Sequence, residues 1–143
     1  MSKTAHSAVL SLTRAVVGLL FACHGAQKLL GLFGGTRHPI DFGVWPHWWA
    51  GVIELVGGTL VMVGLATRPA AVVCSGSMAY AYFVVHQPLG LLPIQNKGEA
   101  AALFAWFFVL IAVLGPGRFA LDTVLANRPG SRDRVVSSGS GRT

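Results

Sequence analysis

The chain is short of charge, above all of negative charge. Five Asp and Glu stand against eleven Lys and Arg in 143 residues, and charged side chains make up 11% of the total; soluble domains carry about 25%. So few ions cannot cover the surface of a water-soluble globule, while 53% of the residues are apolar and the mean hydropathy is +0.61. The solvent for most of this chain is lipid. Cysteine is scarce too, with only Cys23 and Cys74, and their spacing is not that of a metal site. The dinucleotide glycine motif and a haem pair of histidines on one level are also missing. The basic excess does not point to nucleic acid, because the cations are scattered at segment ends instead of gathered into an aromatic-laced patch.

What the chain does have is long apolar runs. Four read as membrane spans, at about 8–30, 48–66, 69–86 and 99–115. Lipid offers no hydrogen-bond partners, so each must be helical. Gly34-Gly35 and Pro39 follow the first run, and Thr67-Arg68-Pro69 makes a tight turn between the second and third. Gln87-Pro88 is expected to end the third, and Gly115-Pro116-Gly117 the fourth. With both termini inside, Lys3, Arg14, Arg68, Arg118, Arg128, Arg132, Arg134 and Arg142 lie on the inner side, and only Lys28, Arg37 and Lys97 outside. That asymmetry orients the chain. The expected fold is an all-α integral membrane four-helix bundle over residues 1–126, with both termini cytoplasmic. A basic, Ser/Gly-rich tail over 127–143 is expected to be disordered. The chain is expected to cross a cell membrane several times.

Lys3 to Arg14 followed by AVVGLLFA and Cys23 has some look of a signal sequence with a lipidated cysteine. Phe21 is too bulky for that cleavage site, and the apolar pattern continues to Leu30, so the segment reads as a span. In this topology Cys23 and Cys74 differ in depth by about 10 Å, beyond disulfide reach.

The polar residues inside the runs carry the functional signal. Arg14, Gly18, Phe21, Gly25 and Lys28 fall on one stripe of the first helix, with His24 beside it. Gly51, Glu54 and Gly58 form a matching stripe on the second, and Ser75, Ala79, Tyr82 and His86 share a face of the third. Small residues on such stripes let helices approach closely. His24 and Glu54 each sit six residues from the outer end of their spans, roughly 9 Å deep. An unpaired carboxylate at that depth costs about 2.5 kcal/mol or more. His24, Lys28 and Glu54 are therefore expected to form one hydrogen-bonded cluster, with His86 and Glu99 at its mouth and Phe21 and Val61 below. Arg14 is expected to snorkel to the inner face. Asn96 and Glu99 also fit a capping arrangement, His86 a helix end, and Tyr82 and Trp106 simple packing.

The segments HGAQKL (24–29), ELVGGTLVMVGLATRPAA (54–71), NKGEAAALF (96–104) and GPGRFALD (115–122) resemble, in order and spacing, the DoxX family of small four-span bacterial membrane proteins. The resemblance covers residues 8–122 and singles out His24, Gly25, Lys28, Glu54, Arg68, Lys97 and Glu99. It implies a quinone-linked or sulfur- and redox-associated membrane subunit, in a complex with a soluble redox or sulfur-handling enzyme. His24, Lys28 and Glu54 are then the candidate catalytic residues. Phe21, Tyr82, His86 and Glu99 are the candidate contacts for menaquinone or ubiquinone, with no metal. Two other readings fit the same residues: a non-catalytic membrane anchor for soluble redox enzymes, and a small-solute permease working as a homo-oligomer.

Overall fold

The structure, a computed structural model, describes residues 3–36, 38 and 40–127. These are helical, with no strand among them. The elements are α1 (Lys3–Leu30), α2 (His47–Val63), α3 (Thr67–Leu89), the single turn α4 (Pro93–Asn96), α5 (Glu99–Leu114) and α6 (Leu121–Ala126). From Thr4 onward α1 has 27 residues, and α3 has 23; both are long and apolar enough to cross a membrane. Helices α2 and α5 are apolar but shorter. The tail beyond Asn127, expected to be disordered, lies outside the described residues.

Three local departures from the sequence reading matter. Helix α3 does not stop at Gln87-Pro88, because Pro88 is accommodated in a closing 3₁₀ turn, Gln87–Leu89. A proline in the first turn of a new hydrogen-bonding register loses no bond it needed. Within α2 the segment Ile53–Gly57 is a π-helix, and within α3 so is Ala81–His86. Each wide turn changes which side chains face inward, and such turns recur at functional sites.

Helix α1 packs chiefly on α2, and α3 on α5, with α2 and α3 joining the two pairs. The α1–α2 seam is where the glycine stripes meet. A Cβ on Gly58 would lie 2.6 Å from the Ala22 nitrogen and 2.8 Å from the Gly18 oxygen, so no side chain fits between the backbones. The core is formed by Phe21, Val61, Ala71, Cys74, Phe108 and Ile111, with the Phe21 ring 4.7 Å from Phe108 and 5.2 Å from Phe104. On α3 it is Ala71, Cys74 and Met78 that are buried, one position off the expected Ser75–Ala79–Tyr82 stripe, which lies toward α5 instead. Large apolar groups point outward, as Leu12, Trp106 and Val113 do at 67–71% exposure. In water that would invite aggregation; in lipid it is the stable arrangement.

Arg14 does not snorkel. It is buried at 2% exposure, and its guanidinium donates to four carbonyls: Val61, Met62 (2.6 Å), Pro116 (2.9 Å) and Phe119 (2.7 Å). Two of those acceptors belong to the last turn of α2, where carbonyls outnumber the amides that can reach them; the Val61 oxygen also accepts from Gly64 N at 3.2 Å. Gly64 ends α2 with φ 76°, and a Cβ there would strike Ala120 at 2.6 Å and Arg14 Nη1 at 2.8 Å. Asp122 closes this end. Its carboxylate accepts from the backbone of Ala66 and Thr67 and from the Thr67 hydroxyl, at 2.8–2.9 Å, so it caps the start of α3. Two of the sequence motifs, GLATRP and GPGRFALD, meet here as a structural lock.

Candidate functional site

The other end of the bundle holds the candidate site. Lys28 comes from the last turn of α1 and Glu54 from the π-turn of α2, and they form an ion pair at 2.5 Å. Glu54 is 2% exposed, and its second oxygen, Oε2, has no partner among the described residues. A buried carboxylate oxygen without a donor is costly, so such an atom calls for an explanation. Beside the pair is a cavity of about 370 Å³ between α2 and α3. Its wall combines Lys28, Glu54 and His86 with the aromatic rings of Trp45, Trp49 and Tyr80. Ligand sites in general are apolar clefts with a few convergent polar groups.

His86 sits at the end of the second π-turn. Its Nδ1 lies 3.1 Å from the main-chain oxygen of Asn96. A carbonyl only accepts, so Nδ1 carries the proton, and Nε2 is the nitrogen able to take another. Asn96 holds this contact in place from a buried position. Its Nδ2 donates to the Gly90 oxygen at 2.8 Å, and its Oδ1 accepts from Gly98 N at 2.8 Å.

Of the expected cluster, then, Lys28, Glu54 and His86 come together. His24 does not join by hydrogen bond; its exposed ring stands edge-on to Phe104 of α5 at 5.8 Å. It lies four residues before Lys28, and that 40° offset around α1 is enough to turn it from α2 toward α5. Phe21 is fully packed in the core, away from the cavity wall. Tyr82 lines a separate groove between α3 and α5 with Ser75 and Trp106. Glu99 is exposed in the first turn of α5. The sequence reading missed Trp45, His47, Trp49 and Tyr80 as cavity wall. The clue was the group of tryptophans, Trp45, Trp48 and Trp49, around the start of the Glu54 helix.

The geometry thus defines a helical membrane protein with a buried ion pair beside an aromatic cavity near one end of the bundle. The family model DoxX matches residues 9–87, more than half of the chain. The chain belongs to the DoxX family. Its similar proteins include an uncharacterized protein of Haemophilus influenzae, 39% identical over 120 residues, covering 79% of this chain and 87% of that one. An uncharacterized membrane protein of Mycobacterium tuberculosis is 33% identical over 132 residues, 80% of each chain. A Bacillus subtilis protein named "Putative oxidoreductase CatD" is 32% identical over 114 residues, 78% of this chain and 82% of its own. No solved structure matches significantly.

Proposed function

We propose that this chain crosses the bacterial inner membrane four times, with both termini cytoplasmic, and serves as a quinone-linked subunit of a redox complex. The observation that carries the reading is the Lys28–Glu54 pair, with its unpartnered carboxylate oxygen beside an aromatic cavity. The residues present suit a quinone ring: Trp45, Trp49 and Tyr80 offer flat apolar walls, and Lys28 offers a donor for a carbonyl oxygen. A bound quinone supplies two-electron, two-proton redox chemistry. In this reading Lys28 orients the ring, while Glu54 and the Nε2 of His86 accept or return the protons. The electrons come from a soluble redox or sulfur-handling partner. The CatD relative's name, with the word oxidoreductase in it, supports the class of chemistry. Residues 1–126 form the membrane domain in this scheme, and the basic tail from 127 faces the cytoplasm.

The test is titration of full-length protein in nanodiscs with menaquinone-4 and ubiquinone-10. Wild type is expected to bind one of them, and Glu54→Gln to lose at least tenfold in affinity with its melting temperature kept. If wild type binds neither, the cavity is not a quinone site. If Glu54→Gln lowers melting while binding persists, the pair only packs helices.

A further inference from the structure

Directly below the aromatic cavity, the same α2–α3 seam continues as a second hollow of about 350 Å³. Its walls are entirely apolar: Val56 and Leu60 on one side, Ala66, Pro69, Ala70 and Val73 on the other. Ile53 lines both hollows, so they are neighbours along the seam. From Trp49 at the top to Leu60 at the bottom is eleven helical steps, about 17 Å along α2. The seam is floored by small groups, Gly57 and Ala70, and its lips, Val56 and Val73, are 54% and 55% exposed on the outer surface of the bundle. Taken together, the two hollows offer a polar, ion-paired end and a dry remainder whose edges are exposed on the bundle surface.

We propose that this slot takes a long-tailed membrane amphiphile lengthwise, with its polar ring at Lys28, Glu54 and His86 and its hydrocarbon tail in the Ile53–Leu60/Ala66–Val73 seam. The ligand enters sideways from the bilayer between α2 and α3. The inference rests on the quinone reading for the head and adds the tail, the route and the selectivity. The argument for this occupant is continuity. The seam shares Ile53 with the cavity that holds the unpartnered carboxylate oxygen, so a molecule anchored by its head there has its tail in the seam. A tail-less ring would leave the lower hollow to lipid and gain nothing from it. Burying a tail along this length removes apolar surface from the competing environment only weakly, since lipid is also apolar; the gain comes from alignment and close packing against the small-residue floor.

The experiment compares a tail-less quinone, menadione, with menaquinone-4 in nanodiscs. The proteins are wild type, Val73→Trp, Val56→Trp and Glu54→Gln. Both tryptophans replace surface-facing valines, so they fill the seam without touching the core. Menaquinone-4 affinity is expected to fall at least tenfold in Val73→Trp and Val56→Trp, with menadione binding unchanged. Glu54→Gln should weaken both ligands. Unchanged menaquinone-4 binding in both tryptophan variants overturns the seam and leaves the head site standing, with a bilayer lipid or a second copy of the chain as its occupant. If wild type binds neither of these ligands nor ubiquinone-10, both the head site and the seam fall. A menaquinone carrying a photoreactive group at its tail end gives a check that needs no variant. Adducts at Val56, Leu60 or Val73 are expected, and adducts confined to α5 or α1 would overturn the placement.

Discussion

Thr67 receives the carboxylate of Asp122 through both its amide and its hydroxyl, and this small contact has a pH signature. Burial works against ionisation of Asp122. The hydrogen bonds from Thr67 and Ala66, with the charge of Arg14, outweigh it and hold the carboxyl below the usual range. A depressed folded-state value means that the contact stabilises fully above the unfolded pKa of about 3.9, and that the benefit is lost as pH falls through the lower, folded value. In detergent, wild type should therefore melt higher than Asp122→Asn at pH 7, and the gap should narrow as pH falls below the ordinary carboxylate value of about 3.9. A gap that stays constant with pH would mean the carboxylate's charge is irrelevant. At this same scale the Lys28–Glu54 pair was legible in the sequence, because matched depth and the cost of a lone charge in lipid leave few partners. Arg14 was misread for the opposite reason. Its acceptors are carbonyls, and nothing in a sequence marks a carbonyl as unsatisfied until the helix end and loop 116–119 are in place.

Among the elements, the glycine seam of α1 and α2 yields the sharpest contrast. Gly58→Ala puts a Cβ against backbone atoms of α1 that cannot yield, and should cost about 1–3 kcal/mol, as overpacking does. Gly76→Ala on α3 meets nothing within 4 Å and should stabilise by roughly 0.5–1 kcal/mol through helix propensity. Thermal melts of the two variants side by side decide the matter. Equal effects would show that the seam is not close-packed. The four apolar helices were readable from their apolar runs and from the punctuation at Gly34-Gly35 and Gly115-Pro116-Gly117. Thr67-Arg68-Pro69, read as a tight turn, instead forms the first turn of α3, and the chain reverses just before it, at Gly64–Ala66, because Gly64 and Ala66 take left-handed backbone angles. The two π-turns were not, because an i→i+5 register leaves no mark in composition or periodicity. The turn Pro93–Asn96 and helix Leu121–Ala126 were hidden too; segments so short owe their helicity to tertiary contacts.

For the whole molecule, charge asymmetry supports the orientation proposed above. With native cysteines replaced, single cysteines at Gly35 and Gly90 should react with a membrane-impermeant maleimide in intact cells, while one at Asn127 should react only after lysis. The reverse pattern would invert the topology, and labelling of all three in intact cells would break the four-span arrangement. The cavity with Lys28 and His86 shares its end of the bundle with the loops that carry Gly35 and Gly90. In the proposed orientation, a proton taken or released there would exchange with the outer side.

The lock at the opposite end also bears on the order in which the protein can be made. The residues that cap α3 and satisfy Arg14 come from 116–122, some 55 to 105 positions later in the chain than the groups they serve. While a ribosome is still translating α5, the first three helices are already emerging with the start of α3 uncapped and half of the Arg14 donors unmet. Synthesis therefore passes through a stage in which the half-built bundle is loosest at the end that holds Arg14 and Thr67, and residues 116–122, emerging after the four apolar helices, fasten it shut.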